Sequence, residues 1–319
     1  MKFKVLAATM AATLSSGAAY AADIPSRVAA PAPPPVVLNG FDFAFGGKIM
    51  SDYVSRGASQ SAQGPSVTAY GEARYNFGDT QLYAGIQGWS VQTPTNPAME
   101  MDFYAGVRQT FGKFTVDLGG IYYWYPQNRD QYWLGPVAPF VVNSPGVQPG
   151  PGFTATTARD PSFGELYIKP SFAITDAFTV GGNFYYSPNW NNYRFDSVFL
   201  SGTAKYTFGD TGFAVSGEFG RQWLGSTPGT SIFGAFTFPD YNTWNLGVSY
   251  TYKVFTVDAR YHGSNLSRGQ CFALTSDPGG NFSGLSRWCG DRFVVSLGAD
   301  LTLKDIGVMP GASPVVARY

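Results

Sequence analysis

Five tight turns recur along this chain, and no other feature limits its fold so strongly. They are YNFGDTQLY (75–83), QTFGKFTV (109–116), FAITDAFTV (172–180), YTFGDTGFAV (206–215) and YTYKVFTV (250–257). In each, a run ends on an aromatic or aliphatic residue, one to four polar or Gly residues turn the chain, and an apolar residue opens the next run. Longer, irregular segments alternate with these turns: 57–63, 93–97, 126–158, 188–194, 225–240 and 266–290. Strict alternation of short turns with long loops predicts an all-β fold, a transmembrane antiparallel up-and-down β-barrel of about 12 strands with short periplasmic turns and long extracellular loops.

The predicted strands are 41–55, 65–77, 80–92, 98–111, 113–125, 162–174, 177–187, 195–208, 211–224, 241–252, 254–265 and 291–304. Each has about ten to fourteen residues, the length a tilted strand needs to cross a bilayer. Parity tests the scheme, because alternate residues of a barrel wall face lipid and lumen. Phe41, Phe43, Phe45, Ile49 and Tyr53 share one face of the first strand, and Asp42, Lys48, Asp52 and Arg56 share the other. Phe255, Val257, Ala259 and Tyr261 likewise stand opposite Thr256, Asp258, Arg260 and His262. A soluble sandwich also alternates, but its charges would face bulk water and its loops would show no length bias. Arg221 breaks the pattern by sharing parity with Phe219 and Trp223, so it requires a rim position or a local bulge. Trp89, Trp124, Trp190, Trp223 and Trp244 at loop ends, and Phe77, Phe111, Phe208 and Tyr252 at turn ends, fit two aromatic girdles.

The first residues, MKFKVLAATMAATLSSGAAYAAD, have the form of a secretory signal peptide (1–21), with cleavage after Ala21 or Ala22. A Pro/Ala-rich periplasmic linker (22–38) follows, then one barrel domain (39–305) and a C-terminal tail or final short strand (306–319). Aromatic residues make up 17% of the chain and charged residues only 13%, which suits a wall that faces lipid. The formal charge of zero offers nothing to a nucleic acid. Cys271 and Cys289 are expected to form one disulfide in an oxidising compartment, closing the last loop. With no P-loop, paired-Cys motif or metal-ligand cluster, no cofactor and no metal site are expected.

On the parity scheme Lys48, Asp52, Arg56, Glu72, Arg74, Glu100, Asp102, Arg108, Asp258 and Arg260 line the pore. Such charges either line a water-filled channel or pair across the wall and plug it. Twelve strands allow a narrow or a constricted lumen, and the 126–158 loop can fold inward or cover the mouth. The pair Asp52 and Arg56, in SDYVSRG, suits a selectivity element near the outer mouth or a wall-stabilising ion pair. YHGSN (261–265) is similar to the His-x-Ser-Asn element of outer-membrane phospholipase, whose His and Ser face lipid; here His262 falls on the lumen side, and no enzymatic activity is expected.

SDYVSRGASQ (51–60) resembles the SDYVFRGxSQ element of TorF-type porins of Gram-negative outer membranes, and the likeness continues through GPSVTAYGEARY, LYAGIQGWSV and MDFYAGVRQTFGKFTVDLGGIYYWYP. The resemblance implies a porin-like channel in the cell outer membrane that passes small hydrophilic solutes. Its partners would be outer-membrane lipids, those solutes and the barrel-assembly machinery. A closed structural or adhesion-type barrel is the alternative. If the leader is removed as expected, N-terminal sequencing of the protein from outer membranes will begin at Ala22 or Asp23.

Overall fold

The structure, a computed structural model, describes residues 40–128, 160–227, 237–280, 283–303 and 305–306, with the backbone of 132–134 and 140–142. Twelve antiparallel strands form a closed barrel: β1 Phe41–Met50, β2 Ser66–Phe77, β3 Thr80–Trp89, β4 Glu100–Phe111, β5 Phe114–Trp124, β6 Phe163–Ala173, β7 Phe178–Ser187, β8 Ser197–Thr207, β9 Phe213–Leu224, β10 Tyr241–Tyr252, β11 Phe255–Ser264 and β12 Arg292–Thr302. Sequence neighbours pair all round the ring. The last strand returns to the first in continuous register, from Ala44 opposite Thr302 to Met50 opposite Ser296. Closure leaves no unpaired edge, so the backbone polar groups of the wall are satisfied without water.

The five turns stand where predicted. The tightest, at Gly78 and Gly112, use residues with φ of 62° and 60°, a left-handed conformation that glycine adopts without a Cβ penalty. Inside β6, Pro170 has no N–H to give. It faces Val116 of β5, and the pairing with β7 skips from Ile168 to Ser171.

Side chains separate by parity. Phe103, Leu166, Leu200, Phe219, Leu246, Phe293 and Leu297 are exposed on the outer surface, with Phe293 at 79%. Glu72, Glu100, Asp102, Arg108, Asp117, Glu165 and Gln222, on the opposite parity, are all buried. Polar inside and apolar outside is the reverse of a water-soluble barrel and is what a hydrocarbon surround requires. The turn-end aromatics Phe77, Phe111, Phe208 and Tyr252 are exposed, as are the loop-end Trp124 and Trp223. Trp89 instead points inward, where its indole N–H donates to Asp102, and Trp190 packs among Tyr193, Phe195 and Phe238 in the loops. Arg221 takes the rim solution. Its strand keeps regular register opposite Leu200, and its guanidinium lies 3.7 Å from Asp240 and against the Trp223 ring.

The first strand departs from expectation. It ends at Met50 rather than running to 55, and residues 51–65 turn inward. The signal peptide, the linker, most of the 126–158 loop and the tail after residue 306 lie outside the described residues. Leu246→Arg should destabilise the barrel in lipid vesicles by about 2–4 kcal/mol, whereas Arg221→Leu should change it by less than about 1 kcal/mol. Denaturant titration of refolded protein measures both.

Candidate functional site

The candidate site is the lumen, and the segment that begins SDYVSRG fills its centre. Val54–Ser55 pairs with Ala58–Ser59 across a two-residue turn whose central residues, Arg56 and Gly57, have φ of 44° and 80°. Positive φ at both positions is the pattern of a type I′ hairpin. Glycine fills the second position for two reasons, its φ and the space: a Cβ there would lie 2.6 Å from Thr243 Oγ1 and 3.2 Å from Ser264 Cβ. The hairpin tip therefore abuts β10 and β11 after crossing the lumen from β1.

Three polar anchors hold it. At the tip, Arg56 donates to both oxygens of Glu165 on β6, at 2.8 and 2.6 Å, and to Gln222 on β9 at 3.1 Å. Its guanidinium also lies 4.9 and 4.8 Å from the ring centres of Tyr185 and Phe199. Bidentate pairing with a carboxylate and stacking on rings are what guanidinium geometry favours. Burial opposes the Arg56 charge, and Glu165 more than offsets it, so the pKa of Arg56 stands above its ordinary value.

At the base, Asp52 accepts from Ser59 and Ser61, at 2.6 and 2.9 Å, and from Arg292 of β12 at 2.5 Å. Between base and tip, Tyr53 stacks on Trp89, with ring centres 4.1 Å apart and planes 7° apart, and donates to Glu100 at 2.8 Å. Tyr125 donates to the second Glu100 oxygen at 2.7 Å. Burial, then the Glu100 and Asp102 charges, push the Tyr53 phenol well above its usual range, so it stays a donor at any physiological pH. Parity assigned Tyr53 to the lipid face. The structure places it inside, because the strand stops at Met50, three residues before it, and the alternation no longer applies.

A lid packs on the hairpin. The last loop contains helix α1, Arg268–Thr275, opened by a capping box of Ser267 and Gln270. The Cys271–Cys289 disulfide ties this helix to the end of the loop, and with Trp288 it forms a small apolar core around Ala58 of the hairpin. Ser59 N–H donates to the Trp288 carbonyl at 2.8 Å. The bridge therefore braces the cap over the plug, a structural role.

Deeper in the barrel, Arg108 of β4 donates to Glu72 at 2.9 and 3.3 Å, to Asp117 at 3.1 Å and to Gln81 at 2.7 Å. Arg74 also donates to Glu72, and Tyr83 bridges Asp117 and Tyr167. On the opposite wall, Arg260 pairs with Asp258 at 2.9 Å and bonds Asn245 and Ser216, while Glu218 accepts from Asn183, Ser201 and Asn245. Between these networks Lys48 stays exposed, with its Nζ 6.0 Å from the Trp89 ring centre.

The ten residues singled out on parity fall into two groups. Lys48, Glu72, Arg74, Glu100, Asp102, Arg108, Asp258 and Arg260 point inward from wall strands, whereas Arg56 is at the hairpin turn and Asp52 precedes the hairpin at its base. Asp52 and Arg56 do not pair with each other; each reaches a different strand. Sequence reasoning left Glu165, Gln222 and Arg292 out of the site. For Glu165 and Arg292 their inward parity was available, but their partnership with a loop was not. Ser264 donates its hydroxyl to the Cys289 carbonyl at 2.6 Å, which occupies the proton a nucleophile would give to His262. Among the described residues no group of three or more His, Cys, Asp or Glu is arranged to hold a metal ion.

A family model described as "Bacterial protein of unknown function (Gcw_chp)" matches residues 38–143. None of the curated proteins matches the chain. Among solved structures, the KdgM porin in complex with disordered oligogalacturonate is 9% identical, with 81% of this chain and 98% of that chain covered at a TM-score of 0.40. The toluene transporters TbuX of Ralstonia pickettii and TodX of Pseudomonas putida are 11% and 12% identical. Each superposition covers 83% of this chain and 88% of the other at a TM-score of 0.42. Superpositions this loose say nothing about cargo.

Glu165→Gln would leave Arg56 without its counter-charge. Breaking a buried pair costs about 3–5 kcal/mol, an upper bound for a hairpin that can move into water. Trypsin should then cut the Arg56–Gly57 bond, which the folded wild-type protein protects, and mass spectrometry of the fragments reads the difference.

Proposed function

We propose that this protein is an outer-membrane channel of a Gram-negative bacterium, exported by a cleaved signal peptide and inserted by the barrel-assembly machinery. It passes small hydrophilic solutes by passive diffusion, with no cofactor and no turnover. One observation carries this reading: a closed barrel, apolar outside and charged inside, is crossed by a hairpin that only non-covalent contacts hold in place. Solutes would pass alongside or behind that hairpin, past the exposed Lys48. Paired charges of both signs favour small polar molecules over strongly charged ones. The resemblance of residues 51–60 to TorF-type porins supports the same reading, since the element that carries the likeness is the hairpin itself.

A specific observation also favours a closed structural barrel. Hairpin, lid and the Arg108 network together occupy much of the lumen with satisfied polar groups.

Planar bilayers separate the two. A channel gives discrete conductance steps in the wild-type protein, and larger steps when residues 54–59 are replaced by a short Gly/Ser link. Steps in the variant alone indicate a closed barrel, and steps in neither overturn the channel reading. Liposome swelling with sized neutral and charged sugars then reports the cut-off and the charge preference.

A further inference from the structure

The lid holds a second polar feature that the hairpin anchors do not use. A cavity of about 260 Å³ opens in the lid beside Gln63 of the segment after the hairpin, lined also by Arg268, Ser286, Arg287 and Asp291 around the disulfide. Arg268 and Arg287 are exposed, and among the described residues neither guanidinium has a hydrogen-bond or ion-pair partner. Elsewhere in this barrel Arg56, Arg74, Arg108, Arg260 and Arg292 each bond a carboxylate, and the Arg194 guanidinium, among the described residues, stands alone in its loop; Arg268 and Arg287 are two unpaired guanidinia that line one cavity.

The frame that presents them is fixed. Ser286 N–H donates to the Arg268 carbonyl at 2.9 Å, which sets the two arginine-bearing segments side by side, and the Cys271–Cys289 bridge closes the same loop. The Arg287 carbonyl accepts from Gln63 Nε2 and from Arg292 Nη2, both at 2.8 Å. Through Arg292 this position is joined to Asp52 at the base of the hairpin. Asp291 is the carboxylate of the cavity, and the Tyr261 hydroxyl engages it. Two guanidinia against one carboxylate give the lining residues a formal excess of one positive charge, with ten N–H donors on two planar groups, and a further carboxylate, Asp277, accepts from the lining Ser286 at 2.8 Å.

We infer that this cavity is an oxyanion site, built to take a carboxylate or phosphate group between Arg268 and Arg287 at the outer mouth. Planar guanidinia match either group bidentately, and the braced backbone lowers the ordering cost of binding. Two sources supply such an oxyanion, a free acidic solute or the phosphates of a lipopolysaccharide headgroup. Either is recognised by the same chemistry, and occupancy would load the strap that runs from Arg287 through Arg292 to Asp52. The inference concerns binding and stands whether or not the lumen conducts.

Calorimetric titration of the full protein in detergent tests it, with sodium phosphate and sodium glucuronate as probes and glucose as the neutral control. Saturable binding of both anions is expected, with none for glucose, and Arg268→Gln/Arg287→Gln should weaken it at least about tenfold. Arg221→Gln, a rim arginine outside the cavity, should bind as the wild-type protein does, and heat-modifiable gel mobility confirms that each variant folds. Anion binding no stronger than that of glucose, or unchanged in the double variant, overturns the site. Repeating the phosphate titration in nanodiscs with and without bisphosphorylated lipid A identifies the source. Competition by the lipid assigns the site to a headgroup, and its absence assigns it to a solute.

Discussion

Closure of the β1–β12 seam is the constraint from which the rest follows. In hydrocarbon an unpaired N–H or C=O has no water to turn to, so a sheet can stand there only as a ring with no edge. Seven consecutive residue pairs close that ring between the first and last strands. Once the wall is a closed sheet, the two-residue alternation of every strand divides the side chains into an outer apolar set and an inner polar set. The molecule then has no apolar centre. What fills its interior must be held by charge pairing and hydrogen bonds.

The hairpin of residues 54–59 meets that demand in an economical way. Arg56 enters the barrel on a turn of positive φ and finds Glu165 and Gln222 on walls far from its own strand, while Asp52 and Tyr53 fasten the near end to β12 and β4. Each anchor is polar, so none depends on excluding water completely, and each joins a loop to a wall strand rather than wall to wall. The lid adds a small apolar contact of its own, placing Trp288 and the disulfide against Ala58. Plug and cap thus form one small unit seated on the barrel.

Most of the wall was legible in the chain. The turns at 78–79, 112–113 and 253–254 mark strand ends, and the alternation around Phe103, Val107 and Arg108 or Val257, Asp258 and Ala259 names the face of each residue. Both signals are local, which is why they survive without coordinates. Alternation failed at Tyr53, and the girdle assignment failed at Trp89. Parity holds only while a strand continues, and the strand ends at Met50; girdle position follows the depth of a residue but not its face, and Trp89 turns inward to meet Asp102 and Tyr53.

The sequence by itself determined the class of fold, the number of strands, the face of most wall residues and the presence of opposite charges just past the end of the first strand. Only the tertiary structure decided what those charges do. Whether Asp52 and Arg56 pair with each other, line a pore or cross it depends on residues 109 and 240 positions away in the chain, Glu165 and Arg292, that barrel closure brings to the same space. Periodicity reports a neighbour two residues along a strand, and it carries no information about a partner across the lumen.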